Sequence, residues 1–178
     1  TIAAPDPAYH DLRFYETFGH YGFLMKTRAV TLRDTGAALS PFNSFLLIQG
    51  LETLSVRMER HVQNAQAIAR FLKEHPKVEW VAYAGLPDSQ YHALAQKYTP
   101  RGPGAVFTFG IKASNARLAG KEFIESLHLF SHLANVGDAR SLVIHPASTT
   151  HQQLSDAELQ AAGVGGGMIR LSIGLETT

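Results

Sequence analysis

Two stretches decide the fold predicted for this chain: Leu133–His151, LANVGDARSLVIHPASTTH, and Met168–Glu176, MIRLSIGLE. The first passes through an Asn-Val-Gly-Asp turn into an apolar run, which a proline ends, and then into five small or polar residues. The second is a short β-type run in which Arg170 alternates with Ile169 and Leu171. A period of two places Arg170 on the face of the strand opposite to these apolar neighbours.

Arg170 is the first candidate for a binding residue. A guanidinium on a strand, near a turn rich in amides and hydroxyls, suits a planar carboxylate bound by two parallel hydrogen bonds. The alternative is a strand arginine that points into solvent, which is the commoner environment for arginine. Residue types alone favour the solvent-exposed alternative.

Composition bounds the class of protein. The chain has 178 residues, a formal net charge of +1 and no cysteine. This length suits one domain, or one domain with an extension, and the charge favours neither nucleic acid nor membrane surfaces. The lack of cysteine excludes disulfides and fits a cytoplasmic protein. No run approaches the roughly 20 apolar residues that span a bilayer. The opening TIAAPDPAYHDL lacks methionine and is expected to be the interior of a longer protein.

Periodicity predicts a mixture of helices and strands. Apolar residues spaced by three and four predict a long amphipathic helix from Leu51 to Leu72, and Ser40-Pro41 is a typical helix start. Ser155 and Glu158 form a capping-box pattern. Residues 1–20 are predicted as loop. Further helices are predicted at Phe23–Ala38, Asn43–Gln49, Tyr91–Tyr98 and from Ser114 to about Leu127, and strands at Val78–Tyr83, Ala105–Ile111, His132–Val136, Leu142–Ile144 and Met168–Ile173.

This order of elements predicts an α/β fold, with a small mixed sheet covered by helices on one face. Three weaker patterns do not predict sites. His128 and His132 have the i, i+4 spacing of zinc ligands but no third ligand, so no metal is predicted. The glycine-rich Gly163–Gly167 lacks the Lys-Ser/Thr of a phosphate loop. Ser148–His151 lacks the surroundings of a nucleophile elbow.

From about Pro5 to its end, the chain resembles the C-terminal part of the pyridoxal-phosphate (PLP) enzymes of cysteine and methionine metabolism, most closely the O-acetylhomoserine sulfhydrylase branch. Asn135-Val136-Gly137 stands where related lyases and cystathionine synthases tend to have Ser-Leu-Gly, which favours that branch. The segments that carry the resemblance are PDPAYHDL, LRDTGAALSPFNSFLLIQGLETLSVRMERH, HPKVEWVAYAGLP, FSHLANVGDARSLVIHPASTTHQQLS and IRLSIGLE.

The resemblance implies a fold-type-I architecture. Residues 1–60 would complete the large PLP-binding domain and begin the connecting helix, and residues 61–178 would form the C-terminal small domain. It also implies substrate-binding roles. Arg170 would bind the α-carboxylate, Asn135 and Val136 would add contacts from their turn, and Thr150 would line the active site.

The family's cofactor lysine lies in a Ser/Thr-Lys-Tyr/Phe segment, and this chain has none. No catalytic or cofactor-binding residue is therefore expected in it, and alone it is expected to be inactive. The full-length enzyme would use PLP for γ-replacement, forming homocysteine or methionine from O-acetylhomoserine and sulfide or methanethiol. Its implied assembly is a homotetramer. Two alternatives stay open: a methionine γ-lyase or cystathionine γ-synthase of the same superfamily, and a non-catalytic amino-acid-binding module.

Overall fold

The computed structural model describes residues 1–177, which divide into two units. The first unit is Thr1–Leu51 and the second begins at Glu52. In the described chain, no helix is both long enough and apolar enough to cross a bilayer.

The first unit is built from short helices. Helix α1 is Phe14–Phe18, and α2, Gly22–Lys26, continues through a π-helical turn, Thr27–Leu32, into α3, Arg33–Thr35. Gly36 ends this run with a φ of 63°, in the left-handed region that glycine adopts readily. The helix predicted over Phe23–Ala38 is therefore present, with a local change of hydrogen-bond pattern.

The prediction of loop for residues 1–20 was wrong in part. This segment contains the 3₁₀ turn Pro7–Tyr9 as well as α1. The reason is aromatic packing: Phe14 is 1% exposed, and the rings of Tyr9 and Phe18 lie 5.7 and 6.1 Å from its ring. Pro5 and Pro7 precede the helix and so do not interrupt it.

Helix α4, Pro41–Glu52, confirms the start predicted at Ser40-Pro41. The Ser40 hydroxyl accepts a hydrogen bond from the backbone N–H of Asn43 at 3.1 Å, and the proline occupies the first helical turn, where its missing N–H costs nothing. No residue of α4 is buried, although most of its residues are apolar.

The second unit begins with the long helix α5, Leu54–Glu74. The predicted apolar stripe is confirmed in part: Val62, Ala65, Ala69 and Leu72 are buried. Its first members, Leu51, Leu54 and Met58, are exposed, and Leu51 belongs to α4. The unit continues with β1, Val78–Ala82; α6, His92–Tyr98; β2, Val106–Ile111; α7, Ala116–Glu125; β3, Ser131–His132; β4, Leu142–Ile144; α8, Asp156–Ala161; and β5, Met168–Ser172.

The five strands form one sheet in the order β1-β2-β5-β4-β3. Neighbouring strands are antiparallel except β3 and β4, which are parallel, so the predicted mixed sheet is confirmed. The strand predicted at His132–Val136 is shorter, because the residues after His132 leave the sheet as an exposed loop. Helix α7 begins at Ala116, not at Ser114 as predicted, and is capped by Asn115, whose side chain accepts from the N–H of Leu118.

The main core lies between one face of the sheet and helices α5 and α7. Phe107 and Phe109 of β2 and Ile169 and Leu171 of β5 pack there against apolar residues of both helices. Helix α8 belongs to a second, smaller cluster, which contacts Met168. Because Met168 alternates with Ile169, that cluster lies on the other face, and the prediction of helices on one face holds only for α5 and α7.

Candidate functional site

Arg170 lies in the middle of β5. Thr108 of β2 and Ile144 of β4 are its in-register neighbours. Ile169 and Leu171 are 0% and 3% exposed, whereas Arg170 is partly exposed. The alternation predicted from the sequence is confirmed: the apolar residues face α5 and α7, and Arg170 points away from them.

The Arg170 guanidinium contacts the turn after β3. Its Nη2 donates a hydrogen bond to the backbone carbonyl of Asn135, with a nitrogen–oxygen distance of 3.2 Å. Within residues 1–177, no carboxylate forms an ion pair with Arg170. A guanidinium has five N–H donors, and the bond to Asn135 uses one of them. Most donors of Arg170 therefore remain available for a planar anion.

The turn at Asn135 is stabilised mostly by local hydrogen bonds. Asn135 Oδ1 accepts from the N–H of Val136 at 2.9 Å, and Gly137 adopts a φ of 76°. The contact with Arg170 therefore uses the main chain of Asn135, and the N–H of Val136 is bonded within the turn. The Val136 side chain is 64% exposed.

Thr150 is not in hydrogen-bond contact with Arg170 or Asn135. It is exposed, and its Oγ1 lies 2.8 Å from Nδ1 of the adjacent His151. The 3₁₀ turn Pro146–Ser148, just before it, packs against β5. The structure thus brings Arg170 and Asn135 together, and places Thr150 shortly after the turn that packs against β5.

Glu176 is a polar residue whose role sequence reasoning missed. Its carboxylate accepts hydrogen bonds from Ser141, at 2.6 Å from the backbone N–H and 2.8 Å from the hydroxyl. Burial tends to raise the pKa of Glu176, but these bonds stabilise the charged form and the pKa is lowered overall. Ser141 is the residue immediately before β4, at the end of the turn that carries Asn135.

Helix α5 holds the segment that follows β5. Asn64 Nδ2 donates to the carbonyls of Gly174 and Glu176, at 3.0 and 2.8 Å, and Arg60 donates to the Glu176 carbonyl at 3.3 Å. His61 Nδ1 lies 2.6 Å from the carbonyl of Ile173. Asn64 and Glu176 are 112 residues apart in sequence, so no local spacing could have indicated these contacts.

His145 is fully buried next to the candidate site. Its Nε2 lies 2.7 Å from the Gly166 carbonyl and its Nδ1 lies 2.8 Å from the Ser148 hydroxyl. A carbonyl can only accept, so Nε2 carries the proton and Nδ1 accepts from Ser148 in the neutral ring. Burial lowers the pKa of His145 and outweighs the opposing effect of the Gly166 carbonyl. We assign this imidazole a packing role.

The lysines do not fit the covalent attachment of a PLP cofactor. None of the six has Ser or Thr before it and Tyr or Phe after it. Lys26, Lys73 and Lys121 are paired with Asp6, Asp88 and Glu125. Residues 1–177 also contain no cluster of three His, Asp or Glu side chains that could hold a metal ion. Arg170 thus has donors available for a planar anion, and none of the six lysines has the sequence context expected for attachment of the cofactor.

Comparison with known proteins identifies the family. A model described as "Cys/Met metabolism PLP-dependent enzyme" matches residues 17–178. O-acetyl-L-homoserine sulfhydrylase 1 of Thermus thermophilus is 53% identical over 175 residues, which cover 98% of this chain and 41% of the relative. Homocysteine synthase of Schizosaccharomyces pombe is 52% identical over 172 residues, which cover 97% of this chain and 40% of the relative.

A solved structure has the same fold. A Campylobacter jejuni protein described as an O-acetylhomoserine (thiol)-lyase superposes with a TM-score of 0.83 at 44% identity, covering 99% of this chain and 41% of that protein. It is described as carrying a pyridoxyl-lysine phosphate at its position 205. This chain spans about 40% of the length of the curated relatives it matches. The chain belongs to the family of PLP-dependent enzymes of cysteine and methionine metabolism.

Proposed function

We propose that these residues are the C-terminal part of an O-acetylhomoserine sulfhydrylase. Residues 1–60 would complete the large domain and begin the connecting helix, and residues 61–178 would form the small domain. The full-length enzyme would carry out γ-replacement, in which sulfide or methanethiol displaces acetate from O-acetylhomoserine to give homocysteine or methionine. The similarity to relatives named as sulfhydrylases or homocysteine synthases supports this reaction.

The observation that carries the proposal is the set of hydrogen-bond and ion-pair partners of Arg170. It lies on a strand of the sheet, donates to the Asn135 carbonyl, and has no carboxylate partner within the described residues. An amino-acid substrate provides a planar anion, and a bidentate pair fixes both the position and the rotation of its carboxylate. Asn135, Val136 and Thr150 would complete the binding surface around the substrate.

The contribution of this chain to the reaction is orientation. PLP, when bound, supplies the electron sink for deprotonation of the substrate. Arg170 fixes the carboxylate, and this determines which bond at the substrate's Cα is aligned for reaction. The cofactor lysine would be supplied by a part of the protein outside these residues, so we expect the 178-residue chain alone to be inactive.

Kinetics of the full-length enzyme test the role of Arg170. We expect Arg170→Ala to lower kcat/KM for O-acetylhomoserine by about 100-fold or more, mainly through KM, because it removes a charge-assisted pair. Arg170→Lys keeps the charge but not the fork, and should recover only part of the loss. Arg70→Ala is the matched control, since Arg70 is an exposed arginine of α5. An unchanged kcat/KM in Arg170→Ala would remove Arg170 from the site.

Product analysis tests the reaction class. With O-acetylhomoserine and sulfide, the enzyme is expected to release homocysteine and acetate. Release of a 2-oxo acid and ammonia from methionine would indicate a γ-lyase, and a requirement for cysteine would indicate a cystathionine synthase. Amino-acid binding without any turnover would indicate a non-catalytic binding module.

We also propose that the full-length enzyme is a cytoplasmic homotetramer. Helix α4 supports an assembly, because its apolar side chains Phe42, Phe45 and Leu47 are 67%, 54% and 58% exposed. Tyr15 and Tyr21 in the first unit are 51% and 70% exposed as well. Analytical ultracentrifugation of the full-length protein should show a tetramer, and a monomer at micromolar concentration would contradict this part of the proposal.

A further inference from the structure

We propose that Glu176 is a positioning residue for the Arg170 site. Its carboxylate holds the end of the loop that carries Asn135, and the Asn135 carbonyl in turn holds the Arg170 guanidinium. The inference rests on the proposed role of Arg170 in binding a substrate carboxylate. It assigns to Glu176 a function that acts through the loop, without contact with the substrate.

Few hydrogen bonds hold the loop between β3 and β4 in its conformation. Residues 133–137 are exposed, and the bonds inside the loop are local ones at Asn135 and Asp138. Its downstream end is tied by four hydrogen bonds to the segment after β5. Two run from Ser141 to the Glu176 carboxylate, the third runs from the N–H of Leu175 to the Ala139 carbonyl at 2.8 Å, and the fourth runs from the N–H of Gly174 to the Ser141 hydroxyl.

The same segment is continuous with the strand that carries Arg170. Gly174 N–H donates to the Ser141 hydroxyl at 2.9 Å, and Leu142 pairs in register with Ser172. The segment 170–176 therefore carries Arg170 and also holds the end of the loop that carries Asn135. If the bonds of Glu176 are removed, the loop loses two of the four hydrogen bonds that tie its end to this segment, and the Asn135 carbonyl can move away from Arg170.

Glu176 is itself fixed by helix α5. Its backbone carbonyl accepts from Asn64 and Arg60, so the backbone from which the side chain extends is anchored to the long helix. The side chain accepts two hydrogen bonds from a single residue and, with a lowered pKa, is charged at neutral pH. A charged acceptor holds N–H and O–H donors more strongly than a neutral one.

A matched control exists in α8. Glu158 also accepts hydrogen bonds from the N–H and hydroxyl of one serine, Ser155, at 2.8 and 2.7 Å. Both glutamates thus brace a serine in the second unit, but Glu158 braces the start of a helix and has no bond to the Asn135 loop. A loss of general stability would affect both variants, whereas loss of Arg170 positioning would affect only the Glu176 variant.

The test compares the binding of two ligands to the full-length enzyme. Calorimetry gives the Kd of L-methionine and of its carboxamide, which lacks the anionic carboxylate. We expect Glu176→Ala to reduce the preference for the carboxylate ligand about tenfold, the size of one weakened hydrogen bond to a charged group. Glu176→Gln retains an acceptor for the Ser141 N–H and should lose less. Glu158→Ala should keep the preference within about twofold of wild type.

The outcomes separate this inference from the proposed function. If Arg170→Ala abolishes the preference for the carboxylate and Glu176→Ala leaves it unchanged, the positioning role is wrong and the function stands. If Arg170→Ala leaves the preference unchanged, the proposed function fails first. Should Glu176→Ala not fold, Ser141→Ala replaces it, because it removes the bonds of the hydroxyl to Glu176 and Gly174 and keeps the bond of the Ser141 N–H to the Glu176 carboxylate. We then expect a reduction of about threefold, and an unchanged preference overturns the inference.

Discussion

Helices α4 and α5 follow one another in the chain and behave in opposite ways. Helix α4 has no charged residue before Glu52 and yet buries none of its side chains. Helix α5 carries several charged side chains and buries six residues, His61, Val62, Asn64, Ala65, Ala69 and Leu72. The difference shows that apolar composition expresses a tendency to be buried, while a facing surface decides whether burial occurs.

The two units differ in the same way. The second unit has a core in which the sheet, α5 and α7 bury one another's apolar faces. The first unit buries Phe14 between aromatic neighbours but leaves the apolar surface of α4 exposed. Substitutions in the second unit should therefore report on packing, and equivalent substitutions in α4 should report on what covers it in the full-length protein.

The largest expected effect comes from matched phenylalanine truncations. Phe109 is 1% exposed and packs on Phe123 at 5.8 Å, whereas Phe45 is 54% exposed. In the 178-residue chain, Phe109→Ala should lower the free energy of unfolding by about 3–5 kcal/mol and Phe45→Ala by less than about 0.5 kcal/mol. Urea denaturation followed by circular dichroism measures both.

The same pair sharpens the comparison in the full-length enzyme. There the proposed assembly would cover α4 with another surface, and we expect Phe45→Ala to cost at least about 2 kcal/mol. Equal losses for the two variants in the 178-residue chain would contradict the difference between the units. A negligible loss for Phe45→Ala in both proteins would mean that nothing covers this part of α4.

The next largest effect distinguishes two helical glycines. A Cβ at Gly120 of α7 would lie 2.6 Å from Nε2 of the buried His145, whereas a Cβ at Gly50 of α4 would meet nothing within 4 Å. Gly120→Ala should destabilise the chain by about 1–3 kcal/mol through overpacking. Gly50→Ala should stabilise it by up to about 1 kcal/mol through helix propensity. Thermal unfolding of the two variants measures both signs, and a stabilised Gly120→Ala would refute the close packing of α7 on His145.

The smallest expected effect is a pH dependence at His145. Its pKa is lower in the folded protein than in the unfolded chain, so the unfolded chain binds more protons between the two pKa values. The contribution of the neutral ring to stability is therefore complete above about pH 6.5 and is lost as the pH falls through the folded pKa. His145→Gln should flatten the fall in Tm between pH 7.5 and pH 5. An identical pH dependence in the variant and wild type would contradict this assignment.

Local sequence patterns predicted much of the second unit. Helix α5 follows from spacing by three and four, and α8 from the capping box of Ser155 and Glu158, which the structure contains in full. The alternation around Arg170 also follows from the strand period. These features depend on residues close in sequence, where backbone geometry and hydrogen-bonding rules leave few alternatives.

The misses have a common cause. The sequence pattern predicted a longer β3 than the structure contains. The strand is short because the loop that carries Asn135 leaves the sheet after His132, and the Asn135 carbonyl contacts Arg170, 35 residues later. Residues 1–20 were predicted as loop because their prolines disfavour a helix. Local sequence does not indicate the packing of Tyr9 and Phe18 on Phe14. In both cases the outcome depends on a partner distant in sequence or on side-chain packing.

The sequence by itself determined most of the helices and strands of the second unit, the family resemblance, and the face of β5 on which Arg170 lies. Only the tertiary structure decided that Arg170 meets the main chain of Asn135, and that Glu176, Ser141 and Asn64 tie the surrounding segments together. The physical reason is the sequence range over which each kind of interaction acts. Dihedral preferences and side-chain periods act over a few residues, whereas hydrogen bonds between segments more than 30 residues apart exist only after the sheet and α5 have packed.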